Sequence, residues 1–242
     1  MNKYLLNFKP FGSNALLIEW PNQIDLNILN EIISLQKGIE TELAELIIET
    51  INAYNSLTVI FKDEIISLTD LREKVKQIYN SGTRQIDIKS KTWKIPVCYD
   101  EEFGIDLKDI AKEKNCSISE IIEMHTHPKY IVYFTGFLPG FLYLGGLPAT
   151  LVIPRKSTPR LHIIKGAVAI GGEQTGIYPS NSPGGWNIIG NSPLEFFNTT
   201  QNPPCFAQAG DTLSFYAINK AEHQRIKEAV DADMYEIEYE NQ

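Results

Sequence analysis

Residues 130–148, YIVYFTGFLPGFLYLGGLP, open a stretch in which short β-rich runs alternate with Gly and Pro turns about every ten residues. This spacing is typical of a closed or nearly closed β-barrel. Pro139 and Gly140 suit the two central positions of a type II turn, where only glycine takes a positive φ without strain. The turn predicts a hairpin that carries Phe137 and Phe141 together at its tip.

Upstream of residue 90, strands and helices alternate instead. Two helices are predicted with Asp25 and Ser67 as their N-caps, and Gly38 is expected to end the first of them. The order of the elements indicates a small α+β layer. The expected strands lie at residues 5–8, at 15–20 and, as a pair, within 45–61.

The polar segment SGTRQIDIKSKT, residues 81–92, is the predicted linker. We therefore expect an α+β protein with a small N-terminal α+β domain, residues 1–90, and a β-barrel domain, residues 91–242. LSFYAI, residues 213–218, is expected as the last strand of the barrel. The acidic tail beyond it is expected to pack loosely or to form a short helix.

The second domain begins with a predicted strand, KIPVCY, followed by two short helices that meet at Asn115 and Cys116. Two helices joined in this way resemble a helix-turn-helix, the arrangement of many DNA-binding proteins. The second helix, however, carries Glu120 and Glu123 and no Lys or Arg, so it would repel phosphate groups. The charge pattern therefore argues against binding to DNA.

Composition narrows the classes of function. The chain has 242 residues, 43% of them apolar, and a net charge of −8, whereas duplex binding needs a basic face. No apolar stretch approaches the roughly 20 residues of a membrane helix, and the N-terminus does not predict a signal peptide. Three widely spaced cysteines, and a histidine pair at His125 and His127, predict neither disulfides nor a metal site. We expect a cytoplasmic protein without nucleic-acid or membrane partners.

Positive charge is concentrated between Gly136 and Gly190, which also hold eleven of the sixteen glycines. Four cations stand here against one acid, Glu173, so we expect them to be available to an anionic ligand. In IPRKSTPR each arginine follows a proline that stiffens the backbone, and a guanidinium binds carboxylate or phosphate through two parallel hydrogen bonds. The alternative is salt bridging to one of the 30 acidic residues. The cations are Arg155, Lys156, Arg160 and Lys165.

Two glycine pairs complete a predicted pocket. Gly171–Gly172 and Gly184–Gly185 are expected to present consecutive backbone N–H groups to an anion. Other side chains would add hydrogen-bonding groups and a flat apolar wall. These side chains are Gln174, Thr175, Tyr178 and Trp186. Together the residues predict a pocket for a small planar molecule with an anionic group and an amide.

Four segments resemble the family of 5-oxoprolinase B subunits, also called allophanate hydrolase subunit 1, which includes Kip-type inhibitors of a sporulation histidine kinase. The resemblance covers residues 5–218. It implies a cyclophilin-like β-barrel after the N-terminal α+β domain. The segments are VCYDEEFGIDLKDIA (97–111), HTHPKYIVYFTGFLPGFLYLGGLP (125–148), PRKSTPR (154–160) and GGEQTGIYPSNSPGGWNIIG (171–190).

The resemblance also implies a function. Family members of this type open 5-oxo-L-proline to L-glutamate with ATP, together with a homologous C subunit, which is cyclophilin-like, and with an A subunit of another fold. We therefore expect a hydrolase subunit that is inactive alone, with ATP and magnesium shared between subunits. Two alternatives stay open at this point. One is an inhibitor of a histidine kinase that docks its Pro-Gly aromatic turn on a helical bundle, and the other is a component of allophanate or urea-linked amide chemistry.

Site residues follow from matching this sequence to the family motifs. The expected catalytic residues are His125, Arg155, Arg160 and Gln174. The expected substrate-binding residues are Phe137, Pro139, Gly140, Phe141, Gly172, Thr175, Tyr178, Ser182, Gly184, Gly185 and Trp186, and no metal ligand is expected. Two departures stand out. Asn191, expected at the pocket rim, replaces the usual Arg, and Ile164-Lys165 replaces the usual Val-Pro-Ala before Gly166.

Overall fold

In the computed structural model, the N-terminal part of the chain is a four-stranded antiparallel sheet with the strand order β1-β2-β4-β3, packed with two helices. Asp25 accepts hydrogen bonds from the N–H groups of Asn27 and Ile28, and Ser67 accepts one from Asp70, so both predicted N-caps are confirmed. The elements are β1 (Asn7–Pro10), β2 (Ala15–Glu19), α1 (Leu26–Glu42), β3 (Ile47–Asn52), β4 (Ser56–Phe61) and α2 (Leu68–Asn80).

Gly38 does not end α1, which continues to Glu42, so that prediction is wrong. A methyl group at position 38 would lie 2.8 Å from Cγ2 of Ile78, on α2. Glycine at this position therefore lets the two helices approach each other closely, which is a packing requirement and not a helix stop.

The structure describes residues 4–62, 66–81 and 90–241, and the chain divides into two compact units, Met1–Ile88 and Lys89–Gln242. Most of the predicted linker, residues 81–92, lies outside the described residues. No helix within the described ranges is long and apolar enough to cross a bilayer.

Seven strands of the second unit close into a barrel, which confirms the α+β fold class with a barrel domain. Their order is β12-β9-β10-β7-β6-β13-β5, and β5 pairs back to β12 between Cys98 and Asn191. Only the β13–β5 pair within this ring is parallel. The ring consists of β5 (Lys91–Cys98), β6 (Lys129–Thr135), β7 (Leu142–Gly145), β9 (Ala167–Gly171), β10 (Gln174–Ile177), β12 (Asn187–Asn191) and β13 (Thr212–Ile218).

Further elements surround the ring. Two strands, β8 (Arg160–Ile163) and β11 (Ser182–Gly184), form a separate antiparallel ribbon. The tail after β13 forms the 12-residue helix α5, which was one of the two expected alternatives, and also a strand, not predicted, that pairs with β5. The remaining elements are α3 (Leu107–Lys114), α4 (Ile118–Thr126), a 3₁₀ turn (Ala149–Leu151), α5 (Lys220–Asp231) and β14 (Tyr239–Asn241).

Candidate functional site

A pocket of about 360 Å³ lies where the β6–β7 hairpin, the loop before β8 and the β8–β11 ribbon meet. Seven of the expected site residues line it, namely Phe137, Phe141, Arg155, Tyr178, Gly184, Gly185 and Trp186. Four further residues complete the lining, namely Tyr143, Lys156, Pro159 and Pro183, and of these Tyr143 and Pro159 were not predicted from the sequence. The pocket thus combines an aromatic interior with two cationic side chains.

The turn at the tip of the β6–β7 hairpin is built as predicted. The N–H of Phe141 donates to the carbonyl of Leu138 at 3.0 Å, and Gly140 has a φ of +83°. A positive φ at the third residue of such a turn is the type II arrangement. A methyl group on Gly140 would also lie 2.6 Å from Cβ of Phe197, so no side chain fits there. Phe141 is buried beneath the turn, whereas Phe137 is exposed.

Buried aromatic rings form the walls of the pocket. Phe141 meets Tyr178 and Trp186 edge to face, with ring centroids 5.4 and 5.6 Å apart. This geometry is the favoured one for aromatic pairs. A methyl group on Gly171 would lie 2.6 Å from the Trp186 ring, so that glycine lets the indole rest directly on β9. The walls are preformed and offer a flat apolar surface.

Arg155 is the cation best placed for an anionic ligand. Its Nη2 donates to Oε1 of Gln174 at 3.3 Å, and its guanidinium carbon lies 5.5 Å from the centroid of the Trp186 ring. None of the salt bridges found within the described residues involves Arg155, so its charge is not neutralised there by a carboxylate. Gln174 and Trp186 therefore orient a guanidinium whose charge remains available at the pocket.

The other three cations are already paired, so the expectation that they are available is wrong. Both Nη atoms of Arg160 donate to the Asp106 carboxylate, at 2.9 and 2.6 Å, and Nζ of Lys156 lies 2.8 Å from its Oδ1. Lys165 pairs with Glu195. The salt-bridge alternative raised from the sequence thus describes Arg160, which does not line the pocket.

Sequence reasoning also missed Asp106, which does not line the pocket but pairs with the lining residue Lys156. Its side chain is only 1% exposed, and its Oδ2 also accepts from the N–H of Ile188 at 2.7 Å. Burial alone would raise the pKa of this carboxyl, but the hydrogen bonds from Arg160, Lys156 and Ile188 outweigh it and lower the pKa. Asp106 stands in the motif 97–111, and this was the only signal of its importance.

His125 lies inside the barrel unit and is fully buried, so the structure does not place it among the pocket-lining residues. Its Nε2 is 3.0 Å from Oγ1 of Thr175, which itself donates to the carbonyl of Ala169. Nε2 therefore carries the proton, and Nδ1 accepts from the hydroxyl of Tyr99 at 2.8 Å. Burial lowers the pKa of His125 to about 3, which keeps the imidazole neutral.

One glycine of each pair, Gly171 and Gly184, serves close packing, whereas a methyl group would find open space at Gly172 and only ordinary contacts at Gly185. The N–H of Gly172 donates to the carbonyl of Ile153 at 2.8 Å, so the expected anion-binding role of this N–H is wrong. A methyl group at Gly184 would collide with the hydroxyl oxygen of Tyr178. Glycine here lets the ribbon lie against the phenol. The remaining expected site residues that do not line the pocket are Pro139, Gly140, Gln174, Thr175 and Ser182.

Asn191 is not at the pocket rim, contrary to expectation. It is buried at the end of β12, where its Nδ2 donates to the carbonyl of Lys165 at 2.8 Å. Its Oδ1 accepts from Nε2 of His223, on α5, at 2.8 Å. Asn191 thus links the turn before β9 to α5, so its effect is on packing and not on the ligand.

Comparisons with known proteins agree with this architecture. Residues 6–207 match the family described as carboxyltransferase domain, subdomain C and D. The chain is 36% identical to the 5-oxoprolinase B subunit of Bacillus subtilis (strain 168) over 228 residues, 90% of this chain and 95% of that protein. It is 37% identical to the 5-oxoprolinase B subunit of Haemophilus influenzae over 210 residues, 87% of this chain and 97% of that protein.

A solved structure shows the same fold. The crystal structure of TTHA0988 superposes with a TM-score of 0.75 at 28% sequence identity. The match covers 85% of this chain but only 40% of that chain. In that protein, a unit like this one is therefore part of a longer polypeptide.

Proposed function

Since this chain belongs to the carboxyltransferase subdomain C and D family, among the 5-oxoprolinase B subunits, we propose that it is the B subunit of an ATP-dependent 5-oxoprolinase. That enzyme opens the five-membered lactam of 5-oxo-L-proline to give L-glutamate. The observation that carries the proposal is the pocket in which Arg155, oriented by Gln174 and Trp186, faces an aromatic interior.

The pocket suits the two halves of such a substrate. The carboxylate of 5-oxoproline matches the charge of Arg155, whose planar guanidinium donates two parallel hydrogen bonds. The small ring matches the aromatic walls formed by Phe141 and Trp186. Burial raises the pKa of the Tyr178 phenol, so it remains a neutral hydrogen-bond donor for the lactam. Binding both groups at once would fix the amide for reaction.

We assign ATP and magnesium to a site shared with partner subunits. An unstrained lactam opens readily once its amide oxygen has been converted into a phosphorylated leaving group, and this is the step that ATP would supply. Magnesium prefers carboxylate oxygens, yet none of the pocket-lining residues is an Asp or a Glu. Asp106, the carboxylate that pairs with the lining residue Lys156, is already held by three donor groups.

Activity is expected only in a complex. The chain alone should neither hydrolyse ATP nor release glutamate from 5-oxoproline, whereas both activities should appear after addition of the A and C subunits. Release of glutamate and of phosphate, measured with each component alone and in combination, checks this. Co-elution of the chain with the C subunit on a sizing column is the control for assembly. Substantial turnover by the chain alone would contradict the proposal.

Arg155→Lys tests the substrate site directly. Lysine keeps the charge but loses the planar fork, so kcat/KM of the reconstituted complex for 5-oxoproline should fall about tenfold to a hundredfold. The melting temperature should change little, because the contacts of Arg155 with the described residues are a long, exposed hydrogen bond to Gln174 and a cation–π contact with Trp186, without an ion pair. Arg225→Lys on α5 is the matched control, since this exposed arginine pairs with Glu222 and does not line the pocket. Equal activity of the two variants would remove Arg155 from the site.

A further inference from the structure

Phe137 has an unusual backbone conformation. Its φ is +66°, and the N–H of Leu138 donates to the carbonyl of Gly136 at 2.8 Å. A hydrogen bond that spans three residues around a central positive φ defines the rare, strained form of the γ-turn. Among the described residues, the other non-glycine residues with positive φ are Asn115 and Asp233, whose side chains tolerate this region. A bulky aromatic residue here is a genuine outlier.

Packing within the chain does not account for this strain. The side chain of Phe137 is 61% exposed, and its ring meets that of Phe141 edge to face, at 5.6 Å between centroids. Most of the ring surface therefore stays in contact with solvent and contributes no burial free energy to folding. Strained backbone at an exposed position is characteristic of residues selected for a role in binding.

The ring nevertheless lies at a defined place. The N–H of Gly136 donates to the carbonyl of Phe141 at 3.1 Å, which closes the hairpin just outside the γ-turn. Gly140, which has no room for a side chain, fixes the type II turn at the same hairpin tip. Phe137 is thus held as a lining residue of the pocket before any ligand arrives, and binding need not order it.

We infer that Phe137 is a specificity-determining residue of the pocket, whose strained turn holds its ring for contact with the apolar ring of a small anionic lactam. Arg155 would bind the carboxylate of the same molecule. The inference rests on the proposed function, because it takes the pocket as the substrate site. It explains why an exposed aromatic side chain occupies a position where glycine would cost less strain.

Two substitutions separate the ring from the strain. Phe137→Gly removes both, whereas Phe137→Ala removes the ring and keeps a side chain at positive φ. In the complex reconstituted with the A and C subunits, both variants should raise KM for 5-oxoproline about tenfold with little change in kcat. The melting temperature should be higher for Phe137→Gly than for Phe137→Ala by about 2–4 °C.

Asn115→Gly is the matched control. Asn115 has a φ of +52° at the C-terminal cap of α3, so glycine should relieve strain there as well. This variant should therefore gain stability but leave KM unchanged. The comparison shows whether a changed KM reflects the ring or only a change in stability.

Each other outcome has a defined meaning. An unchanged KM in both Phe137 variants, with activity still lost in Arg155→Lys, would overturn the inference and leave the proposed function standing. Unchanged activity in all three variants would overturn both. Loss of co-elution with the partner subunits at unchanged KM would show that the ring is an interface residue, which also overturns the inference.

Discussion

Asp106→Asn is expected to lower the melting temperature by about 6–12 °C, corresponding to about 3 kcal/mol of folding free energy. Each carboxylate oxygen of Asp106 faces two donor groups. In asparagine an NH2 group replaces one of these oxygens, and because it cannot accept a hydrogen bond it would leave two donors without an acceptor. The substitution also removes the negative charge that compensates Arg160 and Lys156. This free energy is at the lower end of the range for removing one partner of a buried ion pair, because the side chains of Arg160 and Lys156 remain 30% and 26% exposed.

Asp109→Asn provides the control for this experiment. It makes the same change on an exposed residue of α3, the helix that begins just after Asp106, and should cost well under about 1 kcal/mol. In the Asp106→Asn background, Arg160→Met should recover part of the lost stability, since it removes the uncompensated guanidinium. Equal melting temperatures for Asp106→Asn and Asp109→Asn would show that the carboxylate does not brace the pocket.

His125 should make stability fall as the pH drops below about 6.5. Its pKa is about 3 in the folded chain, because the buried site disfavours the imidazolium, against an ordinary value of 6.5. Between these pH values the unfolded chain binds more protons than the folded chain. The stability that His125 contributes is therefore complete above about pH 6.5 and is lost as the pH falls toward 3. The slope is about 1.4 kcal/mol per pH unit, and the total approaches about 5 kcal/mol.

Denaturant unfolding between pH 7 and pH 4 measures this contribution. His125→Gln removes the titrating group, so the variant should be less stable than the wild type at pH 7, with the difference narrowing as the pH falls. His162→Gln is the control, because His162 is exposed and should leave the wild-type profile unchanged. If wild type and His125→Gln lose stability in parallel, the buried imidazole does not carry the pH dependence.

Local patterns in the sequence predicted much of the architecture. The caps at Asp25 and Ser67 depend on N–H groups within three residues. The Pro139-Gly140 turn depends on two adjacent backbone conformations. Regular spacing of turns indicated the barrel, and the motifs indicated the family. Each of these features is visible in the linear order of the residues, without knowledge of contacts between distant parts of the chain.

Predictions failed where a distant residue decides the outcome. Gly38 has the local signature of a helix end, but Ile78 on α2 requires its small size. His125 has the side chain of a catalytic base, but the barrel closes around it, and this burial lowers its pKa and keeps the imidazole neutral. The sequence on either side of Gly38 or of His125 shows neither of these surroundings.

The sequence by itself determined the order of the N-terminal helices and strands, the barrel, the family and the loops that form the pocket. Only the tertiary structure decided which cation stays available. Arg155 and Arg160 belong to one short loop segment, yet Arg160 meets Asp106 from 54 positions away, while Arg155 lies over Trp186. The physical reason is that pairing and loss of solvent depend on the atoms that surround a charge after folding, and residues distant in the chain supply those atoms.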